Sequence, residues 1–440
     1  MSGNRKPQIL KGFRDYLPEQ MLLRQEVMKR IRTVFEAHGF EPLDTPVLEY
    51  MEILTGKAGE NEKLMYHFQD AGEREIGLRY DLTVPLARFV AMHQNDIALP
   101  FKRYHMAPVW RAEKPQRGRF REFWQCDADI VGVESTLADA EAVSTFVDAY
   151  RAIGLDTAVI AINHRKLLEA LALMAGVPDD RAAGVFRIID KLDKIGAEKV
   201  RTELLEFGAS ADAADAILRI ITTTGSNEGL LDLAESELGN IEQGKLALAE
   251  LRSLLSYLQA LGVPADGYRI DLALARGIDY YTGPVWEAQV QEPKIGSVGG
   301  GGRYDGLVGT FLGRDIPATG ISLGIERIVE VIQEFNLLPV GSSTAQVAMV
   351  HIEETLPRAG EIARELRTAG INVDQSLASG KSIGAQLKYA DRRGIPFALI
   401  PGTEELANNQ ISLKNLATGE QITIDRDAVV ATVTNLTKGK

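Results

Sequence analysis

Apolar positions along the chain repeat at two periods. Leu23, Val27, Ile31, Val34 and Phe35 recur at helical spacing, and Gly39 supplies a stop. Pro42 and Pro46 then force an extended path through residues 41–47. Residues 101–111 read as a strand, 113–119 as a turn-rich loop and 122–131 as the returning strand. Thr136 with Asp139 has the form of a capping box for a helix ending near Gly154, with Val143, Phe146, Val147, Tyr150 and Ile153 on its buried face. From about His164 to Gly262 the texture turns Ala/Leu/Glu-rich and helical, an insertion between strand-rich halves. Strands resume at 269–275, 285–290 and 318–323. In the last hundred residues, apolar runs at 345–351, 371–374 and 395–401 alternate with helical patterns at 361–368 and 383–392. That βαβαβ order predicts a small separate α/β domain with a largely parallel sheet.

Length and composition refine this picture in a few places. The 440 residues suggest roughly three domains at about 150 residues each. Gly341, Ser342 and Ser343 form a natural linker before the last of them. The expected division is 1–163 and 263–340 as two parts of one domain, 164–262 as a helical insertion, and 341–440 as the C-terminal domain. With 45% hydrophobic and 25% charged residues, the chain has the balance of a globular protein. No apolar run approaches membrane-spanning length, and the first residues lack the apolar stretch of a signal peptide. The single cysteine, Cys126, rules out an internal disulfide framework and fits a cytoplasmic location. The six histidines lack metal-ligand spacing, so no metal held by protein side chains is expected. A net charge of −12 argues against indiscriminate nucleic-acid coating. Residues 341–440 carry 11 basic and 11 acidic side chains, so the whole acidic excess lies in the first 340.

Four segments carry candidate chemistry. Residues 111–123 (RAEKPQRGRFREF) set Arg111, Arg117, Arg119 and Arg121 in and beside one hairpin loop, with Phe120 and Phe123 between them. Guanidinium forks match phosphate oxygens, although an exposed hairpin tip would look similar. Residues 274–283 (LARGIDYYTG) place Arg276 at the end of an apolar run before Tyr280 and Tyr281. In an extended chain the two tyrosines point to opposite faces, so at most one need be core. Residues 299–306 (GGGGRYDG) follow neither the Walker A nor the Gly-x-Gly-x-x-Gly pattern, and indicate close approach of backbone to a ligand or a neighbouring strand. Residues 320–327 (GISLGIER) contain Gly-x-Ser-x-Gly, the nucleophile elbow of α/β-hydrolases. Only His351 follows Ser322, too close to build the intervening fold, so these glycines are read as a strand-to-helix join with Arg327 one turn in.

In this order and spacing the segments resemble the class II aminoacyl-tRNA synthetases, and within them the histidyl-tRNA synthetase family, over essentially the whole chain. Residues 35–46 are similar to the first class signature, a homodimer element, 111–125 to the second and 320–327 to the third. Residues 274–283 and 299–306 are similar to the two histidyl-specific peptides. The resemblance implies an α+β fold: an antiparallel sheet with flanking helices, a helical insertion, and a C-terminal α/β anticodon-binding domain. It implies ATP bound with Mg²⁺, and no organic cofactor. Arg111 would meet the α-phosphate and Arg119 the distal phosphates. Arg327 would stack on adenine opposite Phe123, with Glu113 at the adenine amino group and Gly324 alongside. Asp81, Thr83 and Gln125 would hold the α-amino group of L-histidine, while Asp129 and Tyr281 face the imidazole, with Tyr280 and Tyr304 completing the pocket. Gln116 and Arg117 are candidates for the acceptor end of tRNA(His). Asp81 and Asp129 stand where many bacterial relatives carry glutamate, yet the 114–119 loop is short, as in bacterial members.

Two rivals remain within this resemblance. A silent regulatory paralogue of histidine biosynthesis would lack the C-terminal domain and the catalytic arginines, whereas Arg111, Arg276 and Arg327 are all present here. A synthetase for another amino acid would not carry residues 274–283. The resemblance assigns Arg111 and Arg276 to charge stabilisation on the transferring phosphoryl group. Replacing Arg276 by alanine is therefore expected to depress histidine-dependent ATP–pyrophosphate exchange by about 10²–10³-fold with the fold intact. Near-normal exchange would contradict the assignment.

Overall fold

The computed structural model describes residues 6–55, 59–178, 181–275, 280–290, 292, 296–378 and 380–437. Its backbone divides into two units: residues 1–14 with 27–338, and residues 15–26 with 339–440. Helix α1 (Pro18–Ala37) ends where predicted, before Gly39 at φ +76°. Val27, Ile31 and Phe35 are fully buried, and the Phe35 ring packs on Phe40 and Tyr104.

Eight strands build the main sheet of the first unit. Along the chain, β1 (Glu41–Pro42) is followed by β2 (Leu48–Tyr50), β3 (His67–Gln69) and β4 (Glu75–Leu78), of which β2–β4 make a separate small sheet. The long hairpin β5 (Phe101–Trp110) and β6 (Glu122–Val131) comes next, then β7 (Val159–His164), β8 (Tyr268–Ile270), β9 (Pro284–Gln289), β10 (Gly299–Arg303) and β11 (Ala318–Gly324). The sheet order is β1-β5-β6-β11-β10-β9-β7-β8. Every pairing from β5 to β7 is antiparallel, and only the edge pairs β1·β5 and β7·β8 are parallel. This is the antiparallel-rich α+β architecture that the resemblance implies.

Around the sheet lie α2 (Met51–Thr55), α3 (Thr83–Met92) and α4 (Thr136–Ala152). Ser135, not Thr136, caps α4: its side chain accepts from the Leu137 N–H. Asp139, expected in a capping box, is instead fully buried and receives two hydrogen bonds from the Arg303 guanidinium, at 3.0 and 2.8 Å. The requirement of a buried arginine for a carboxylate outweighs a cap that Ser135 already supplies. Between β7 and β8 the chain is helical in the described residues: α5 (Arg165–Met174), α6 (Ala182–Ile189), α7 (Leu192–Ile195), α8 (Ala197–Phe207), α9 (Ala211–Thr222), α10 (Asn227–Leu238) and α11 (Glu242–Ala260). The strand expected over 269–275 is shorter than predicted. The ladder ends at Ile270, where the Asp271 carboxylate accepts the Ala273 N–H and turns the chain away. Helices α12 (Gly306–Leu312) and α13 (Ile325–Phe335) complete this unit, and α13 follows β11 directly as the glycine pattern predicts.

The second unit holds β12 (Val347–Met349), α14 (Leu356–Thr368), β13 (Val373–Gln375), α15 (Ile383–Arg392), β14 (Phe397–Ile400), α16 (Thr403–Ala407), β15 (Gln410–Asn415), β16 (Gln421–Asp425) and α17 (Val429–Thr437). Its sheet runs β13-β12-β14-β15-β16. The β12 pairings are parallel as expected, but β14·β15 and β15·β16 are antiparallel. The sheet is therefore mixed, because the last two strands form a hairpin turned at Asn415, whose carboxamide accepts from Ala417 and Thr418. Among the described residues no helix is long and apolar enough to cross a membrane.

The run of glycines is a strand in the middle of the main sheet. A Cβ on Gly301 would lie 1.9 Å from the Gly320 carbonyl oxygen of β11 and 2.5 Å from the Trp286 indole nitrogen of β9. Backbone cannot yield there as a flexible side chain could. Gly301→Ala is expected to lower the stability of this unit by about 1–3 kcal/mol through overpacking. Gly360→Ala in α14, where a Cβ meets nothing within 4 Å, should instead stabilise by about 0.5–1 kcal/mol through helix propensity. Urea midpoints of the two variants check the contrast, and equal shifts would contradict it.

Candidate active site

Strand register assembles the site. Side chains at alternate positions of β6 share one face, and Gln125, Asp127 and Asp129 occupy three successive positions of that kind. Asp129 stands in register with Arg103 on β5 and Gly320 on β11; Asp127 with His105 and Ser322; Gln125 with Ala107 and Gly324. Three polar side chains thus point from the middle of a sheet into a cavity of about 400 Å³, a volume suited to a small molecule. Gly320 leaves the space that Asp129 fills, since a Cβ there would lie 2.0 Å from Asp129 Oδ1.

The cavity is acidic at one end. Asp81, Asp127 and Asp129 are 4%, 2% and 3% exposed, so nearly all of their charge is removed from water. Arg103, fully buried, forms an ion pair with Asp129 at 2.7 Å, and the Tyr304 hydroxyl donates to the same carboxylate. Asp81 accepts the Val84 N–H at 3.0 Å, at the start of α3. Burial raises the pKa of all three carboxyls above the ordinary range, with Asp127 pushed up to about 8 by burial and then by the neighbouring Asp129. Gln125 Nε2 donates to Ser322 Oγ at 2.6 Å. Tyr280 and Tyr281 are both buried, with ring centroids 5.1 Å apart, and Tyr280 lies 5.8 Å from Tyr304. The expectation that at most one of the pair is core is corrected. The segment is not extended strand, so the two rings need not diverge, and both line the cavity.

The other end is basic. Arg111 Nε donates to the Tyr80 carbonyl at 3.0 Å, and its guanidinium lies 5.1 Å from the Phe123 ring centroid. Its charge lowers the pKa of Asp81 against the larger effect of burial, which places it beside the acidic end. Arg119 pairs with Glu113 at 3.2 Å. Arg327, in the first turn of α13, donates to the carbonyls of Ser297 and Gly118 and so bridges to the loop that carries Arg119.

The residues singled out from sequence therefore meet in one place. Asp81, Thr83, Gln125, Asp129, Tyr280, Tyr281 and Tyr304 line the cavity, as do Arg111, Glu113, Arg119, Phe123, Gly324 and Arg327. Gln116 and Arg117 stand outside its lining; Gln116 pairs with Arg119 in the turn of the hairpin loop, while Arg117 reaches Glu334 at 2.5 Å and Glu330 at 3.4 Å on α13. Arg276 lies outside the described residues. Sequence reading missed Asp127, Arg103 and Tyr80, and it met Ser322 only as a possible nucleophile. Ser322 sits inside strand β11, not at a turn, and bonds to Gln125, so no nucleophile elbow exists here. A polar residue at every second position of 125–129 was the available signal for Asp127. No group of three or more His, Cys, Asp or Glu side chains is arranged to hold a metal among the described residues.

Comparison with known proteins agrees with the geometry. The family model described as histidyl-tRNA synthetase matches residues 12–328, and that described as anticodon binding domain matches 339–436. The chain is 45% identical over 450 residues to a histidine–tRNA ligase of Aeropyrum pernix, covering 99% of each. It is 43% identical to that of Rhodopirellula baltica, covering 94% of each. Among solved structures, a histidyl-tRNA synthetase from Nostoc sp. PCC 7120 superposes with a TM-score of 0.89 at 34% identity, covering 98% of this chain and 100% of that one. A structure from Bacillus halodurans titled as an ATP phosphoribosyltransferase regulatory subunit/histidyl-tRNA synthetase gives 0.77 at 26% identity, covering 88% and 97%.

Proposed function

The chain belongs to the histidyl-tRNA synthetase family, and from that premise we propose how its cavity divides the work between histidine and ATP. The activity is that of a histidine–tRNA ligase: histidine and ATP give histidyl-adenylate and pyrophosphate, and histidine then passes to the 3′ end of tRNA(His). The observation that carries the division is the charge gradient of the cavity, with buried carboxylates at one end, Arg119 and Arg327 at the other, and Arg111 between them.

The acidic end suits an amino acid that brings an ammonium and an imidazole. Asp81, Thr83 and Gln125 take the α-amino group. Asp129 and Tyr281 face the imidazole, and the Arg103 and Tyr304 contacts fix the orientation of the Asp129 carboxylate. A site that hydrogen-bonds both ring nitrogens rejects isosteres lacking either one, by about 10⁴-fold. The basic end suits the nucleotide. Adenine lies between Phe123 and Arg327 with its amino group toward Glu113, while Arg119 meets the distal phosphates.

Arg111 stands where the two substrates must join. The histidine carboxylate attacks the α-phosphorus in line and pyrophosphate departs. Arg111 and Arg276 stabilise the charge that develops on the transferring group, so catalysis comes from positioning and electrostatics without a covalent enzyme intermediate. Glu287, on the cavity wall, would help to hold Mg²⁺ brought in with ATP, since among the described residues no group of three or more His, Cys, Asp or Glu is arranged to hold a metal without it. Bound there, the ion would neutralise charge on the pyrophosphate. In the second step a terminal tRNA hydroxyl attacks the activated carbonyl, with Gln116 and Arg117 on the exposed hairpin as contacts for the acceptor end. The homodimer is assigned to residues 35–46 and the neighbouring exposed apolar side chains Val47, Leu48 and Tyr50. The cytoplasm is the compartment that suits this activity and a single free cysteine, Cys126.

Arg111→Ala is expected to reduce the rate of histidine-dependent ATP–pyrophosphate exchange by about 10²–10³-fold while the folded signal in circular dichroism is kept. In the unmodified protein, exchange should be driven by histidine and by none of the other standard amino acids. Exchange with a different amino acid, or an unaffected Arg111→Ala variant, would contradict the proposal.

A further inference from the structure

We propose that Asp127 binds the α-ammonium group of histidine together with Asp81 and Gln125, and that the Ser322 hydroxyl holds Asp127 and Gln125 in position for it. The inference rests on the histidine-activating reading of the cavity.

Asp127 differs from its neighbour Asp129 in what it already touches. Asp129 is engaged by Arg103 and Tyr304. Asp127 stands in register with Ser322 on β11, and its Oδ1 is buried without a hydrogen-bond partner among the described residues. Gln125 shows the same pattern: Nε2 donates to Ser322 Oγ at 2.6 Å, while Oε1 is buried without a partner. A hydroxyl carries one hydrogen. Having accepted from the Gln125 amide, Ser322 keeps its one hydrogen for Asp127, its register partner, and one oxygen of each β6 side chain is buried without a partner on the same face. Both residues line the cavity beside Asp81. Acceptors converging on an enclosed space call for a compact group with several donors and no acceptor. An ammonium has three N–H donors; a neutral imidazole has one.

The charges agree with this. Asp127 faces Asp129 on its own strand, Arg103 and, in register, His105 on β5, and Asp81 before α3. Arg103 lies among the three carboxyls and Arg111 reaches Asp81 from the other end, yet burial and then the repulsion from Asp129 push the pKa of the Asp127 carboxyl up to about 8. An arriving ammonium provides positive charge and favours the carboxylate. Histidine binding below that pH therefore expels a proton from Asp127, and histidine affinity rises as pH climbs toward 8.

The test uses the full-length protein, with Asp127→Asn and Ser322→Ala as variants. Its probes are L-histidine and imidazolepropionate, which keeps the ring and carboxylate but lacks the amine. Asp127→Asn is expected to raise the histidine KM in ATP–pyrophosphate exchange by about 10–100-fold, with the ATP KM unchanged and imidazolepropionate inhibition within about twofold of the unmodified protein. Calorimetry of histidine binding at pH 7, in buffers of different ionisation enthalpy, should show a proton released by the unmodified protein and none by Asp127→Asn. Should Asp127→Asn fail to fold, Ser322→Ala, which keeps the carboxylate, is expected to weaken histidine selectively over imidazolepropionate by about 3–10-fold. An unchanged histidine KM, unchanged proton release, or equal weakening of both ligands would overturn the assignment. Absence of histidine-dependent exchange in the unmodified protein would instead defeat the reading on which it rests.

Discussion

The site depends on a constraint of backbone packing: β10 and its neighbours approach so closely that no side chain fits at Gly299, Gly301 or, on β11, Gly320. Gly301 abuts the Gly320 carbonyl, Gly299 abuts that of Ser322, and Gly320 yields its side-chain space to Asp129. Gly300 and Gly302 alternate with Gly299 and Gly301, on the face of Gly320, Asp127 and Asp129, and place no side chain over the open volume into which the polar side chains of β6 point. These glycines lie within strands and not in a loop before a helix. They leave the floor of the cavity low enough for two substrates to lie across the sheet, a use of glycine that differs from the phosphate-cradling loops of parallel α/β folds.

That floor lies under an electrostatic arrangement that is costly to fold and useful to occupy. Three carboxyls are nearly excluded from water around Arg103, and burial raises all three pKa values. Removing Arg103 would leave Asp129 buried without its cation, a loss of about 3–5 kcal/mol for a broken buried pair. The buried acceptors suit an ammonium, because the ligand brings donors to Asp127 Oδ1 and Gln125 Oε1, which have no partner among the described residues. Arg111 sits at the boundary, close enough to Asp81 to lower its pKa and within reach of the Phe123 ring. A carboxylate and an α-phosphate would meet at that boundary, both anionic, and a guanidinium is the group that tolerates both. In the proposed reading, fold and reaction are linked through β6, which would supply Phe123 to one substrate and Gln125, Asp127 and Asp129 to the other.

Much of this was legible in the sequence, for physical reasons that differ by element. The β5–β6 hairpin was readable because two ten-residue runs of mixed apolar and polar positions flank a loop of Pro, Gly and Arg, and the β11–α13 join because glycines mark the change of period. The roles of the thirteen cavity residues came from family resemblance, and strand register explains the convergence of those on β6 and β11. Asp127 went unread because one acid in a strand looks like an exposed position until its neighbours are known to face inward. Tyr280 and Tyr281 were misjudged because alternation applies only to extended chain. Asp139 was misjudged because local capping grammar cannot foresee a partner such as Arg303, 164 residues away. The second unit was expected to be largely parallel because its first three strands alternate with helices, and the closing hairpin β15–β16 carries too little apolar pattern to announce itself: β16 is mostly exposed.

The central claim is that histidine and ATP meet across one cavity, at Arg111. A crystal structure with a non-hydrolysable histidyl-adenylate, the sulfamoyl analogue, tests it most directly. The account predicts one molecule bound per chain, its imidazole at Asp129 and Tyr281, its ammonium among Asp81, Gln125 and Asp127, its sulfamoyl group at Arg111 and its adenine between Phe123 and Arg327. An analogue bound in the reverse sense, or with its sulfamoyl group away from Arg111, would contradict it.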